Sequence, residues 1–251
     1  MMRGAPLTLA LLSTLLSTLL LSALLLSAPG CGTTPSYAPA DVVVDAPGAD
    51  GSRFGDPSRA VNGVQGAGLS AGSLDVYSLN YTTRPSLVIG FGAYAVTDGP
   101  EADFVVFENG FVAATGDYFM DPIVVEVSVD GVTWLALPFD YLHTDERAYV
   151  AHPELWEGFA GTLPVLVNPS TNAVDPFSAM AGGNAFDLAR LGTGEDAMRA
   201  RREGVRFVRL RSAAIVTNPD TGAFFPRDLV SDGADIDGVV GRYLVRATPL
   251  R

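Results

Sequence analysis

Short apolar runs separated by turn-forming residues dominate the chain from about residue 53 onward. Residues 86–91 (SLVIGF) and 104–107 (FVVF) have the length of strands and are bounded by Pro, Gly or Asp. Runs of this kind are typical of strands that are buried on both faces. The same reasoning predicts strands at residues 205–211 and 242–247.

The clearest local pattern lies at residues 123–137. Valine or isoleucine occupies every second position from 123 to 129, which is the period of a half-buried strand. The Asp-Gly dipeptide at 130–131 follows, a favoured sequence for the two-residue type I′ turn, and an apolar run then returns. We therefore predict an antiparallel hairpin in which Val125 and Val127 face the core.

Helical patterns are scarce. Residues 185–191 fit about two helical turns, and residues 195–203 fit about two and a half. Many short strands with Gly-rich turns and few helices predict an all-β fold. We expect a single β-sandwich of the jelly-roll kind with one or two short helices.

The first 30 residues have the order of an export signal. Residues 7–26 are leucine-rich and follow one positive residue, Arg3, and small residues precede Cys31, the only cysteine. Residues 28–31 (APGC) resemble the lipobox of bacterial lipoproteins, although Ala28 stands where leucine is more usual. We expect Cys31 to be the lipidated first residue of the mature chain. Simple secretion and a retained membrane-spanning anchor are the alternatives.

The region after Cys31 has the composition of a linker. Residues 31–52 are rich in Thr, Pro, Ala, Gly and Asp, with one apolar run at 42–44. The predicted organisation is a signal peptide at 1–30, a flexible linker at 31–52 and a β-sandwich domain at 53–251. Gly32 stands where aspartate would signal retention in the inner membrane. By resemblance to the known sorting rule for lipoproteins, the location is the outer membrane or the cell surface.

The charge of the chain excludes one class of partner. Without residues 1–30 the chain keeps 15 arginines against 28 acids, a net charge of −13, and it has no lysine. Such a chain is repelled by nucleic-acid phosphates and by anionic headgroups. We therefore expect no nucleic-acid partner, and we expect membrane attachment through the lipid at Cys31 alone.

The common catalytic motifs are not supported by their surroundings. Residues 68–72 (GLSAG) match G-x-S-x-G, but a nucleophile elbow needs a strand before the serine and a helix after it. Here a loop composition precedes the motif and a strand-like alternation follows. His143 and His152 with a single cysteine do not form a zinc site of familiar spacing. No pair stands out among the 28 acids, so a glycoside hydrolase with two carboxylates stays open.

Three acidic segments are candidates for cation binding. Residues 98–111, 182–188 and 232–238 set carboxylate and amide oxygens beside glycines, as Ca²⁺ sites do, although such residues also form simple turns and caps. Distant segments can meet in a sandwich. We therefore predict a single Ca²⁺ site formed by Glu108, Asn109, Asp187, Asp235 and Asp237, with Asp98 and Asp103 as secondary candidates.

Several of these segments occur in a characteristic order. They are residues 72–79 (GSLDVYSL), 98–109 (DGPEADFVVFEN), 125–131 (VEVSVDG), 182–188 (GGNAFDL), 208–210 (VRL) and 235–237 (DID). Over residues 60–247 the chain resembles a family of bacterial cell-surface proteins with DGPGxDFxVFEN, GGDAFDL and DLDAV motifs. It departs from them at Glu101, Asn184 and Gly238, where the family has Gly, Asp and Ala.

The resemblance implies an exported surface protein, and the family has no agreed activity. The chain is similar, more distantly, to galactose-binding-like (discoidin-like) jelly rolls. That likeness implies an eight-stranded sandwich that often binds Ca²⁺ and presents loops to sugars or lipids.

The leading functional hypothesis is an envelope-anchored, non-catalytic module that binds a carbohydrate or an envelope partner and holds a structural Ca²⁺. Aromatic candidates for stacking on a sugar are Trp134, Tyr141, Tyr149 and Trp156, although aromatics in a sandwich more often belong to the core. The alternatives are a surface glycoside hydrolase and a purely structural envelope lipoprotein.

The first testable prediction concerns Cys31. Intact mass spectrometry of the membrane-extracted protein should show an acylated chain that begins at Cys31, and Cys31→Ser should release the protein from membranes. An unmodified Cys31 in a chain that retains Met1 would contradict this prediction.

Overall fold

The computed structural model describes residues 36–143, 152–228 and 231–250, so the predicted signal peptide, Cys31 and Tyr149 lie outside the described residues. The described residues belong to one compact unit. Its strands in chain order are β1 (Tyr37–Pro39), β2 (Val42–Asp45), β3 (Tyr77–Ser78), β4 (Ser86–Gly90), β5 (Tyr94–Val96), β6 (Phe104–Glu108), β7 (Phe111–Val112), β8 (Tyr118–Phe119), β9 (Ile123–Ser128), β10 (Leu135–Ala136), β11 (Asp140–Tyr141), β12 (Trp156–Glu157), β13 (Asn184–Phe186), β14 (Phe207–Ser212), β15 (Asp235–Arg242) and β16 (Leu244–Arg246).

Two five-stranded antiparallel sheets form the sandwich. Sheet A has the order β1-β15-β6-β13, with β3 also paired to β15, and sheet B has the order β10-β9-β14-β4-β2. Three two-stranded pairs, β5–β16, β7–β8 and β11–β12, complete the described strands. Strands β4, β6, β9, β13, β14 and β15 belong alternately to sheet B and sheet A in chain order. The prediction of an all-β sandwich is confirmed.

The core explains why the strands are continuous apolar runs. Phe104 and Val106 of β6 pack between the sheets, in a cluster that includes Leu87, Ile89, Val125, Val127, Val208 and Leu210 of sheet B. Val105 and Phe107 point the other way, into a second cluster with Val165 and Val167. Because β6 is covered on both faces, alternation of polar and apolar residues is lost. The four predicted strands correspond to β4, β6, β14 and β16.

Helical structure among the described residues is limited to α1 (Glu195–Glu203) and four 3₁₀ turns at Pro57–Val61, Pro153–Leu155, Leu188–Arg190 and Ala213–Ile215. Helix α1 confirms the prediction for residues 195–203, and none of the described helices could span a bilayer. The helix predicted at residues 185–191 is wrong. Asn184–Phe186 pairs with β6, and the Asp187 carboxylate accepts the Ala189 N–H and starts a separate 3₁₀ turn.

The predicted hairpin exists, but its turn is longer than expected. Leu135 pairs with Val127, and Val125 and Val127 are buried as predicted. The connection spans residues 129–134, because the Asp130 carboxylate accepts the N–H groups of Val132 and Thr133 at 2.9 Å. A type I′ turn needs positive φ at both central residues. Gly131 has a φ of 77° but Asp130 is not in that region, so the two-residue turn is ruled out.

The N-terminal boundary also differs from the prediction. Tyr37 pairs with Arg242, and Val42 pairs with Gly90, so β1 and β2 are edge strands of the two sheets. The linker predicted at residues 31–52 is therefore wrong from Tyr37 onward. The apolar run at 42–44 forms part of β2, the edge strand of sheet B that pairs with β4, and Pro39 is tolerated because β1 is an edge strand.

Val127 provides a test of the core assignment. Val127→Ala should lower the free energy of unfolding by on the order of 1 to 3 kcal/mol, because it leaves a cavity between the sheets. Val132→Ala is the matched control, since Val132 is 82% exposed and its truncation should be neutral. Urea denaturation measures both. An unchanged midpoint for Val127→Ala would contradict its position in the core.

Candidate cation site

A buried acid ends the central strand of sheet A. Phe104 and Val106 face the core, so the two-residue period of β6 turns Glu108 to the same side. Glu108 is only 3% exposed. Its Oε1 accepts the backbone N–H of Asp235 at 3.1 Å, where β15 begins beside the end of β6.

Glu108 lines a partly open cavity of about 100 Å³. The cavity, which we call the acid cavity, is lined by Glu108, Asn109, Gly110, Phe111, Phe119, Met120, Asp121, Asp228, Ser231 and Asp235. Asp121 precedes β9 of sheet B, so the four carboxylates come from segments that belong to both halves of the sandwich. Because one water needs at least about 10 to 15 Å³, the cavity has room for an ion with a few waters.

Burial raises the pKa of three carboxyl groups of the acid cavity, Glu108, Asp121 and Asp235. Burial holds the pKa of Glu108 well above its usual range, and the charges of Asp121 and Asp235 add to this effect. Burial raises the pKa of Asp121 to about 6, with further contributions from Asp228 and Asp235. Burial also raises the pKa of Asp235. The charge of Arg84 acts in the opposite direction on the pKa of Asp235, and no arginine lines the cavity.

One oxygen of Glu108 has no protein partner among the described residues. Glu108 Oε2 is buried and accepts no hydrogen bond from them. Asp121 Oδ2, in contrast, accepts the Ser231 hydroxyl at 2.7 Å, and Asp235 Oδ1 accepts the Ser78 hydroxyl. A buried carboxylate oxygen without a donor is costly unless a proton or a cation neutralises the group. Glu108 Oε2 is thus the atom of this cavity that most needs a ligand.

Asn109 has a positioning role beside the cavity. Its side-chain oxygen accepts the N–H of Ser73, and its amide donates to the Ser73 carbonyl at 3.0 Å. These bonds hold the 68–72 loop against β7, where the Val112 N–H also donates to the Leu69 carbonyl at 2.8 Å. The G-x-S-x-G segment is a loop with neither a strand directly before it nor a helix after it, as its sequence context predicts.

Asp187 lies at a different acidic cluster. It meets Asp98 and Asp103, with one candidate ligand atom of each within 4.8 Å of the others. The fully buried Asp103 accepts the N–H groups of Gly99 and Leu188 at 2.8 and 2.7 Å, and burial raises its pKa to about 6. Asp103 precedes Glu108 by five residues of an extended strand, which corresponds to about 16 Å. Backbone donors satisfy Asp103, so this cluster has a structural explanation without an ion.

Asp237 is also separate from the acid cavity. The register of β15 against β6 shifts between Ile236 and Gly238, so Asp237 occupies a β-bulge. Its Oδ1 accepts the Gln65 N–H at 2.8 Å, and it does not line the cavity. The single five-residue site predicted from the sequence is therefore divided among three places. Only Glu108, Asn109 and Asp235 line one cavity, together with Asp121 and Asp228. No three of these acids place ligand atoms within 4.8 Å of one another, in contrast to Asp98, Asp103 and Asp187.

The sequence contains no motif that marks Asp121 or Asp228. Asp121 lies in an Asp-Pro step before a strand, and Asp228 follows an arginine in a loop. Each is one of 28 acids in the chain. They line the acid cavity because the fold brings them close to Glu108, and the local sequence does not predict this proximity.

Two of the aromatic residues predicted to stack on a ligand are core residues. Tyr141 and Trp156 are 5% and 2% exposed and pack against each other, with ring centroids 4.4 Å apart. That prediction is wrong for both, because they belong to a cluster with Phe159 and Phe225. Trp134 packs under the Arg209 guanidinium, 4.3 Å from its ring centroid.

A larger cavity of about 380 Å³ lies beside β13, but its polar groups are already paired within the protein. Asn184 exchanges hydrogen bonds with Thr162, and Arg190 contacts Glu157 at 3.4 Å. The Asp187 carboxylate caps the 3₁₀ turn. Size alone would favour this cavity, whereas the unmatched buried charge favours the acid cavity as the functional site.

Asp237 gives a prediction for the ion-free protein. Burial raises its pKa to about 7, from about 4 in an unfolded chain, so the folded state keeps a proton that the unfolded state releases between these values. Wild-type stability should therefore fall as pH rises through this window, and Asp237→Asn should remove that loss. Between pH 4.5 and pH 8 in EDTA, the free energy of unfolding of the variant should rise by roughly 1 to 4 kcal/mol relative to that of the wild type.

Urea unfolding at the two pH values measures this difference. The control, Asp140→Asn at an exposed position, should show no gain, and a pH-independent difference for Asp237→Asn would refute the assignment.

Comparison with known proteins leaves the family open. No protein-family model and no curated protein matches this chain. The resemblance to bacterial cell-surface proteins therefore stays a prediction, and the function has to be inferred from the site itself.

Proposed function

We propose that this protein is a non-catalytic binding module of the cell envelope that holds one Ca²⁺ in the acid cavity. One observation carries the proposal. Four carboxylates surround a cavity of about 100 Å³, and one buried oxygen, Glu108 Oε2, has no partner among the described residues. A divalent cation supplies the missing counter-charge.

The donor set favours Ca²⁺ over other metals. The four acids of the cavity, Glu108, Asp121, Asp228 and Asp235, offer hard oxygen ligands, and its lining contains neither histidine nor cysteine. Ca²⁺ takes six to eight oxygens in flexible geometry. Because no three of these carboxylates lie within 4.8 Å of one another, waters would have to complete its coordination. Mg²⁺ needs a near-ideal octahedron, which is harder to build from four separate segments.

The position of the cavity suggests a structural effect of the ion. Glu108 and Asp235 belong to sheet A, whereas Asp121 directly precedes the β9 end of sheet B. A cation bound at Glu108 would lie between the ends of the two sheets. Since the unfolded chain does not hold these acids together, the ion should bind mainly to the folded state and stabilise it.

The size of the acid cavity argues against a glycoside hydrolase at this place. Ligand pockets are usually about 300 to 1,000 Å³, and this cavity is about a third of the lower value. A sugar ring cannot enter between two of these carboxylates, as hydrolysis by a pair of acids requires. A binding role is therefore the better proposal.

The envelope location rests on the export signal and Cys31. The strand that follows them, β1, pairs with the Arg242 end of β15, whereas the acid cavity lies at the Asp235 end. The seven residues between these ends correspond to about 23 Å. Attachment through residues that precede β1 therefore starts at the end of the sheet opposite to the cavity.

Thermal unfolding tests the proposed ion. At 100 times its dissociation constant, Ca²⁺ should add about 2.7 kcal/mol to the stability of the full chain relative to EDTA. For a domain of this size the midpoint should rise by roughly 5 to 10 °C. Asp121→Asn and Asp228→Asn should lose most of this rise, because each removes a charged ligand.

Two controls separate the acid cavity from the other acids. Asp187→Asn and Asp237→Asn should keep the full Ca²⁺ effect, since neither residue lines the cavity. Equal midpoints for the wild type in Ca²⁺ and in EDTA would rule out the ion. A loss of the Ca²⁺ effect in Asp187→Asn alone would move the site to the Asp98 cluster.

A further inference from the structure

We infer that the outer edge of β13 binds an extended, basic peptide segment of a partner protein as an additional strand of sheet A. The site is the cavity of about 380 Å³ beside β13, which we call the edge cavity. This inference goes beyond the acid cavity and does not require the proposed ion. It depends on the hydrogen-bonding edge of β13, on the apolar lining of the edge cavity and on the acids at one end of the strand.

Strand β13 is an edge strand, and no described strand pairs with its outer side. The Asp103 carbonyl accepts the Arg242 N–H at 2.8 Å, so every second residue of β6 from Asp103 onward directs its backbone groups toward β15. The intervening residues of β6 pair with Asn184 and Phe186. Ala185 lies between these two, so its N–H and C=O point away from β6. Ala185 is exposed and lines the edge cavity.

A loop of the protein already pairs with the chain directly before β13. Val165 forms an antiparallel bridge with Gly182. The Gly183 N–H donates to the Pro164 carbonyl at 3.2 Å. The next outward-facing backbone groups are those of Ala185, two residues further along the chain. This side of the chain therefore has the geometry for strand pairing, and the backbone of Ala185 is left for a partner.

The edge cavity has room for an apolar side chain of the added strand. Its apolar lining includes Leu137, Pro138, Trp156, Phe159 and Leu163. Trp156 and Phe159 are buried and Leu163 is 37% exposed, so apolar groups extend from the interior to the surface. The volume of about 380 Å³ lies in the usual range of ligand pockets. In strand addition, backbone hydrogen bonds supply affinity, and pockets for alternate side chains supply specificity.

The acids at the end of β13 favour a basic partner. Asp187 lines the edge cavity, and its carboxylate meets those of Asp98 and Asp103 within 4.8 Å. Arg190, the arginine of the lining, already contacts a glutamate of β12. Two residues of a strand correspond to about 7 Å, so a lysine placed two positions from the residue opposite Ala185 reaches Asp187. The net charge of −12 of the chain adds to the attraction for a basic segment.

Fluorescence anisotropy with short synthetic peptides tests the inference on the full-length chain in detergent. In these peptides valine, leucine or phenylalanine alternates with threonine, and both ends carry lysine or glutamate. A lysine-ended peptide should bind equally well in CaCl₂ and in EDTA, and at least tenfold more tightly than its glutamate-ended counterpart. Ala185→Pro should weaken this binding at least tenfold, because proline removes the outward N–H and is tolerated on an edge strand.

A charge variant and modified peptides provide the controls. Asp187→Asn keeps a residue that caps the 3₁₀ turn, and it should weaken binding of the lysine-ended peptide at least threefold. Asp117→Asn is the matched control, because Asp117 is an exposed acid between β7 and β8, and it should bind normally. N-methylation of the peptide amides along one edge should abolish binding, whereas N-methylation along the other edge should not.

Defined results would overturn the inference. A failure of all lysine-ended peptides to bind would reject the peptide site, and equal binding of glutamate-ended peptides would reject the basic partner. Unchanged affinity in a folded Ala185→Pro variant would reject strand addition. If that variant does not fold, equal binding of peptides methylated on either edge would reject it instead.

Oligomeric state and the ion give two further distinctions. A wild-type dimer that Ala185→Pro converts to a monomer would identify a second copy of the chain as the occupant and would overturn the peptide partner. Because the peptide measurement in EDTA requires no ion, a failure of the Ca²⁺ proposal and a failure of this inference are separate results.

Discussion

The pairing of β6 with β15 is the interaction on which the rest of the structure depends. It joins Val105 to Val240 and Phe104 to Gly241, and it fixes which acids are buried at each end of sheet A. At one end Asp103 is satisfied by two backbone N–H groups. At the other end Glu108 keeps one buried oxygen without a described partner. Both acids are buried, but Asp103 is held by backbone hydrogen bonds, whereas Glu108 is a candidate ion ligand.

The bulge at Asp237 explains why neighbouring acids have different surroundings. In a regular strand Asp235 and Asp237 would face the same side, because side chains alternate with a period of two. The register shift between Ile236 and Gly238 changes this relation. Asp235 therefore joins Glu108 at the acid cavity, whereas Asp237 accepts the Gln65 N–H elsewhere.

The sequence predicts what depends on local pattern and misses what depends on tertiary pairing. The sandwich, β4, β6, β9 and helix α1 follow from local sequence patterns, and the structure contains all of them. The local sequence at residues 185–191 predicts a helix, but Asn184–Phe186 forms a strand. Pairing with β6 outweighs the local helix propensity there. Likewise, the linker composition before residue 53 gave no sign that β1 and β2 complete the sheet edges. Glu108 and Asp235 could be chosen from motifs, whereas Asp121 could be identified only from its position in the folded chain.

The most direct test of the account is a crystal structure of the Ca²⁺-loaded protein with anomalous data that locate the ion. The account predicts one anomalous peak in the acid cavity, about 2.3 to 2.6 Å from Glu108 Oε2 and from oxygens of the neighbouring aspartates. An empty acid cavity at saturating Ca²⁺, or a peak only between Asp98, Asp103 and Asp187, would contradict it.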